Sequence, residues 1–356
     1  MNVLHIIDKY GYGGVESVVD GIFDGFKDEW VRLYRYYIRD TETKEKTKDN
    51  QTYIGNSGKY SVVPLFTLLF LIKKWDIHIL HTHHKKGFYF AQIAKIVHPK
   101  IILIHHEHGD ILVSNALYKI FLRVFKKNTS FFIAVSDYVE IQLKKMVNIP
   151  SNKIITLLNF VDLRNTIQKN QYRLHAGHEI VVGFVGRLAE VKGCEYLIRA
   201  IPSVLETNRL IKVIIAGDGP EEDRLKSLVS KLGLQLHVSF IGVTKSFADV
   251  ADLVDMVVIP SKSESSSLVL LEAWASRVPV IISELPALKT VVEDNRNAIT
   301  FPVGNIVLLA QKIVNLSNDE VLAARLTSNA LHQVEKRDLQ SYIVRLKAVY
   351  KLFKHE

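Results

Sequence analysis

The chain has 356 residues, 48% of them hydrophobic and 23% charged, which suits a soluble globular protein long enough for two ordinary domains. Its single cysteine, Cys194, excludes an internal disulfide framework and fits a reducing cytoplasm. A formal charge of +9 and a pI near 9.3 point to an anionic partner, whether nucleotide, nucleic acid or membrane surface.

The opening "MNVLHIIDKY" lacks the basic region and long apolar core of a signal peptide and reads as a strand. Next, "KYGYGGVES" leads into the helical pattern "GVESVVDGIFDGF". Gly11, Gly13 and Gly14 let backbone approach a ligand, and the helix start offers free N–H groups to phosphate; equally, the glycines serve the turn alone. The polar segment 39–59 reads as a surface loop, and "VVPLFTLLFLI" (62–72) is too short to span a bilayer. Strand-like runs follow at "IHILHT", "IILIHH", "FFIAVS" and "KIITLL". After the polar stretch 164–178 come "IVVGFVG", "KVIIAG", "VSFIG", "DMVVIP" and "VPVIIS", with "EEDRLKSLVSKLG" and "SLVLLEAWAS" as helices between them. Short runs apolar on both faces, alternating with helices, predict doubly wound parallel α/β sheets. The predicted layout is an N-terminal domain over 1–165, a linker over 166–178, a C-terminal domain over 179–335, and a last helix over 336–356 free to pack back toward the N-domain.

In such sheets ligands bind beyond the carboxyl ends of the strands. The first strand of the second set ends in Gly186, Arg187, Lys192 and Gly193. An Arg fork and a mobile Lys at one strand end can grip a diphosphate, although any Arg–Lys pair is more often two solvated cations. "SESSSLVLLEAWA" (263–275) places Glu264 in a loop and Glu272 in a helix that Ser266 or Ser267 can cap. Two such carboxylates can accept hydroxyls of a ribose and a hexose, whereas either one alone is background.

With these motifs the chain resembles the retaining glycosyltransferases of family 4, which share the GT-B fold. The resemblance runs through "GGVE", "AVSDYV", "NFVD", "GFVGRLAEVKG", "IIAGDGPEEDRL", "VSFIG" and the E-x7-E pair Glu264/Glu272. It implies two Rossmann-like domains facing a central cleft and a nucleotide-sugar donor, UDP- or GDP-linked, with no further cofactor. It also implies Arg187 and Lys192 on the donor diphosphate, Glu264 on the donor sugar, Glu272 on the ribose, and His108 of "HHEHGD" near the transferred sugar. Gly13, Gly14, Gly186, Ser266, Ser267 and Leu268 complete the implied donor site. The pattern departs at Ser265–Ser267, where Gly-Phe is usual, and at Phe160 and Arg277, where Gly is usual. These departures bear on the donor sugar more than on the diphosphate grip, and they raise a noncatalytic partner subunit as an alternative. A nucleotide-sugar epimerase of the same fold is a second alternative; turnover of donor without acceptor separates it. A nucleic-acid partner has only charge behind it and is not expected.

Histidines crowd the stretch 78–108, with His81, His83 and His84 in one group and His105, His106 and His108 in another. At strand ends they are expected to line a polar cleft, and no metal ligand is assigned. The acceptor implied is an oligosaccharide or lipid-linked glycan, with the protein cytoplasmic or peripheral on the inner membrane face. Residues 60–127 carry ten Lys/Arg against three Asp/Glu, and in "ALYKIFLRVFKKN" the cations Lys119, Arg123, Lys126 and Lys127 flank Phe121, Leu122 and Phe125. That helix is the expected contact with an anionic membrane; packing of its apolar residues into the core is the alternative.

Overall fold

The computed structural model describes residues 1–40, 50–58, 61–163 and 179–354, so the expected linker (166–178) and much of the expected 39–59 loop lie outside it. By internal contact the chain divides into two units, residues 1–159 with 339–356 and residues 160–338.

In the first unit seven parallel strands run β1 (Asn2–Tyr10), β2 (Arg32–Asp40), β3 (Thr52–Ile54), β4 (Ile79–Thr82), β5 (Ile102–Glu107), β6 (Phe131–Ala134) and β7 (Ile154–Thr156), in spatial order β3-β2-β1-β4-β5-β6-β7. Five helices, α1 (Gly14–Gly25), α2 (Val63–Lys74), α3 (Lys85–Val97), α4 (Ala116–Phe125) and α5 (Asp137–Gln142), connect them. The second unit has β8 (Ile180–Val185), β9 (Ile211–Ala216), β10 (Val238–Gly242), β11 (Met256–Ile259), β12 (Val280–Ser283) and β13 (Ile299–Phe301), in order β10-β9-β8-β11-β12-β13 and again parallel. Its helices are α6 (Cys194–Thr207), α7 (Glu222–Lys231), α8 (Ala248–Ala251), α9 (Leu268–Ala275), α10 (Ile306–Ser317) and α11 (Glu320–Glu335). The last helix, α12 (Leu339–Lys351), belongs to the first unit, where Lys347 pairs with Asp28 and the Leu339 and Ile343 side chains crowd Gly25 of α1.

Both sheets share one winding. The chain builds outward from β1 to β3, then crosses back to β4 on the other side; β8 to β11 repeats the pattern. A crevice therefore opens at the carboxyl ends between β1 and β4, and another between β8 and β11. Central strands are apolar on both faces, with Val3, Leu4, Ile6 and Ile7 buried in β1 and all of Met256–Ile259 buried in β11.

One expectation needs correction. The segment 39–59 is not simply a loop: Arg39 and Asp40 end β2, and Thr52–Ile54 pairs beside it as β3, with Arg35 opposite Thr52. Strand β2 hid behind its charges. Arg35 and Arg39 are neutralised by Asp20 and Asp8, while Tyr34, Tyr36 and Tyr37 bury the apolar share of the strand.

Candidate functional site

The crevice of the second unit is built by two loops. Gly193 sits at φ +64°, and a Cβ there would come 2.0 Å from the Pro260 carbonyl oxygen, so only glycine lets the turn after β8 rest on the end of β11. The Lys262 N–H donates to the Val191 carbonyl at 2.8 Å, and the Lys262 side chain pairs with Glu190 at 2.7 Å. So clipped, the loops bring Lys192 to Glu264: Nζ donates to Oε1 at 2.8 Å, and the Ser261 hydroxyl donates to the same oxygen at 2.8 Å. Glu264 is buried, whereas Lys192 keeps about a third of its side chain exposed. Arg187 stands exposed at the end of β8, with no ion pair among the described residues. Ser267, rather than Ser266, caps α9, accepting from the Leu270 N–H. Leu268 opens that helix, and Glu272 follows within it, half-buried, its carboxylate without a partner among the described residues. Burial pushes the Glu272 carboxyl up to about 7.

One cation is thus held by a carboxylate that a hydroxyl also bonds, a second is free to reach, and a desolvated carboxylate lacks the donors it needs. That set suits a ligand with two negative charges and neighbouring hydroxyls. Of the sequence-predicted donor residues, the structure joins Lys192 to Glu264 directly and sets Gly186 and Arg187 at the β8 exit. Ser261 escaped the sequence reading; its signal was only a serine at the strand end, three positions before a candidate Glu.

In the first unit Gly13 and Gly14 start α1, whose N-cap carries no side-chain hydrogen bond. The Glu16 carboxylate folds back to this start and lies 2.4 Å from where a Gly13 Cβ would stand; burial pushes its pKa up to about 7. On β5 the side chains alternate: His106 takes one face, while His105 and Glu107 take the other, and His108 follows in the turn. Glu107 accepts from the Tyr118 hydroxyl and from the Gly109 N–H at 2.9 Å, and His105 lies 3.4 Å away. Burial presses the Glu107 carboxyl upward, but these bonds prevail and hold it below the usual range. His108 shares a hydrogen bond with His83 at 3.1 Å, and His83 shares one with His5 at 2.9 Å. Burial keeps these imidazoles neutral, lowering His5 to about 3 and His81, His83, His106 and His108 well below the ordinary value.

Residues 166–333 match the family model for glycosyl transferases group 1, and residues 12–165 match that for glycosyltransferase family 4. The chain belongs to the group 1 glycosyltransferases. An uncharacterised glycosyltransferase of Methanocaldococcus jannaschii is 33% identical over 178 residues, 47% of this chain and 45% of that protein. The phosphatidyl-myo-inositol mannosyltransferase of Mycobacterium leprae is 26% identical over 78% of this chain and 75% of its own. The chain therefore spans about half the length of the first relative and three quarters of the second. Among solved structures, Anabaena HepE in complex with UDP and glucose matches with a TM-score of 0.82 at 21% identity, over 98% of this chain and 99% of that one. The fold is GT-B.

Two features of this glycosyltransferase-family chain differ from expectation. Arg277, where the family has Gly, follows α9 at φ +56° in a left-handed helix stop: the Val278 N–H donates to the Ala273 carbonyl and the Arg277 N–H to the Trp274 carbonyl. The motif's backbone survives without its glycine. On α4 the expected apolar face is wrong. Leu122 is buried, and Phe121 and Phe125 are half-buried, because they pack toward Phe88 and Tyr89 of α3. The outward apolar stripe is instead Leu117, Ile120 and Val124, each more than half exposed, extended by Leu112 and Val113.

Proposed function

We propose that this chain is a retaining glycosyltransferase, moving a sugar from a nucleotide diphosphate donor to a hydroxyl on a lipid-linked acceptor at an anionic membrane. The observation that carries the transfer reading is the β8–β11 crevice, where Lys192 is held by Glu264, itself held by the Ser261 hydroxyl, and Arg187 stands exposed at the end of β8 with no ion pair among the described residues. Charge grows on the diphosphate as the glycosidic bond breaks, so two cations preset at that position stabilise the departing group more than the bound donor. Departure on the acceptor's side lets the leaving phosphate oxygen take the acceptor proton, which preserves anomeric configuration without a protein base. Glu272, desolvated and unpartnered, is the ribose ligand in this reading. His108 is put near the transferred sugar on the family motif. UDP is the favoured nucleotide because HepE, of the same fold, was solved with UDP and glucose. A thermal-shift series with UDP-, GDP- and ADP-sugars tests it: a rise in melting temperature with UDP-sugars supports the reading, and no rise with any of them overturns it.

The membrane part rests on α4 and α2. Leu117, Ile120 and Val124 of α4 and Val63, Phe66 and Phe70 of α2 are exposed apolar residues, at spacings that keep each set on one helix face. Lys73 and Lys74 end α2, and Lys119, Arg123, Lys126 and Lys127 lie in or just after α4. Each such cation contributes about 1 kcal/mol at an anionic surface. The acceptor of the Mycobacterium leprae relative is, by its name, a phosphatidyl lipid. No helix among the described residues is long and apolar enough to cross a bilayer, so contact would be by surface docking. Co-sedimentation with anionic vesicles at low salt, absent with neutral vesicles and weakened in Ile120→Ser, is the expected result. Equal binding to both vesicle types, or self-association in place of binding, removes the docking proposal and leaves the transferase reading standing.

A further inference from the structure

We propose that His5, His81 and His83 form a binding site for one divalent ion of the zinc class in the first unit, independent of the transferase reading. The register of β1 and β4 sets His5 beside His81, and the two-residue strand period returns His83 to the same face. One ring nitrogen from each of the three lies within 4.8 Å of the others. All three side chains are buried.

The outer nitrogens identify the inner ones. The Tyr350 hydroxyl of α12 bonds His81 Nδ1 at 2.7 Å and His5 Nε2 at 3.1 Å, while His83 Nδ1 bonds His108 Nε2 at 3.1 Å. Metal-bound histidines nearly always engage their second nitrogen in this way, which fixes the tautomer and aims the lone pair. What remains for an ion is His5 Nδ1, His81 Nε2 and His83 Nε2. His81 Nε2 is buried with no hydrogen-bond partner among the described residues, an expense that needs a cause. The His5 Nδ1 to His83 Nε2 distance is 2.9 Å. Without an ion a proton bridges those two nitrogens; an ion in its place requires only that the His5 proton move to Nε2 facing Tyr350, so no imidazole is deprotonated. Tetrahedral nitrogen ligands at about 2.05 Å from zinc stand about 3.3 Å apart, so ring nitrogens already within 4.8 Å of one another have at most ~1.5 Å to close. Three nitrogen ligands leave a fourth position for water or a small anion, as in other three-histidine zinc sites.

His106 strengthens the case for the place. Its ring lies beside His81 and His83, with centroids 5.6 and 5.4 Å away, and neither of its nitrogens has a hydrogen-bond partner among the described residues. A core of this kind would pack better with leucine unless it bound something.

The test uses the full-length chain without an affinity tag, stripped with chelator and dialysed against micromolar Zn2+ or Co2+. Expected are one ion per chain by elemental analysis, visible d–d absorption with Co2+, and a raised melting temperature. Tyr350→Phe should weaken affinity about 10- to 100-fold at unchanged stoichiometry, as loss of an outer partner does. His81→Gln should abolish binding, and because the inner nitrogen of His81 has no hydrogen-bond partner among the described residues, the variant is expected to fold. If His83→Gln fails to fold, His81→Gln decides alone. The exposed His332→Gln should bind as the parent does. An ion-free parent, or equal binding by His81→Gln, overturns the proposal.

Discussion

The two units wind their strands in the same order and open the same crevice, yet they fill it with opposite chemistry. Between β1 and β4 stand neutral, buried imidazoles that bond one another; between β8 and β11 stand exposed or partly exposed cations together with carboxylates. The winding dictates where a ligand can go and leaves the kind of ligand to side chains. Burial is what separates the two crevices. Lys192 is partly exposed and paired with Glu264, whereas burial holds His81 and His83 neutral.

The sharpest break of this contrast is removal of the second unit's cations. Arg187→Ala or Lys192→Ala should lower turnover about 100- to 1,000-fold with little change in sugar preference, since a preset charge acts on the leaving group. Normal turnover in either variant would move the diphosphate grip elsewhere. Next, Glu272→Gln should weaken UDP binding about 10- to 100-fold by calorimetry, the range for hydrogen bonds to a charged group, with the melting curve of the free protein little changed. A smaller effect follows from the same residue's pH response. The Glu272 carboxyl is raised to about 7 in the free protein, and ribose hydroxyls donate to its ionised form. Nucleotide affinity should therefore rise as pH climbs through 7 and fall about tenfold per unit below it, with proton release on binding. Affinity flat between pH 6 and 8, or a slope surviving in Glu272→Gln, would contradict that. Stability of the free protein runs the other way: the raised carboxyl favours folding below the unfolded value and loses this as pH rises through 7. Smallest is Arg277→Gly, which relieves a left-handed residue and should stabilise by about 1 kcal/mol in a denaturant titration. A loss of stability would show that the arginine side chain has a structural role of its own.

Legibility in the sequence followed burial. Central strands such as "VLHII" and "MVVI" are apolar throughout and were read directly, as was the family signature that carries Arg187, Lys192, Glu264 and Glu272. Strand β2 was not, because Arg32, Arg35 and Arg39 interrupt its apolar residues and the partners of Arg35 and Arg39, Asp20 and Asp8, lie outside the strand. The three residues of β13 are too few to carry any period. On α4 the helix was legible but its rotation was not: both Phe121 and Ile120 are apolar, and only the position of Phe88 decides which turns inward. Likewise the histidines could be counted, but their division into two faces needed the register between β1, β4 and β5.

The hydroxyl of Tyr350 meets His5 across 345 residues of chain. Translation delivers β1 well before α12, so the first unit's sheet cannot close its histidine layer until α12 has been made. At about 5–20 residues per second that interval is roughly 20–70 s, during which the contiguous second unit is made whole and is free to fold. The nascent first sheet spends that time with the α12-facing side of β1 and β4 uncovered, a natural client surface for a chaperone. A polypeptide stopped short of α12 would carry that exposure permanently.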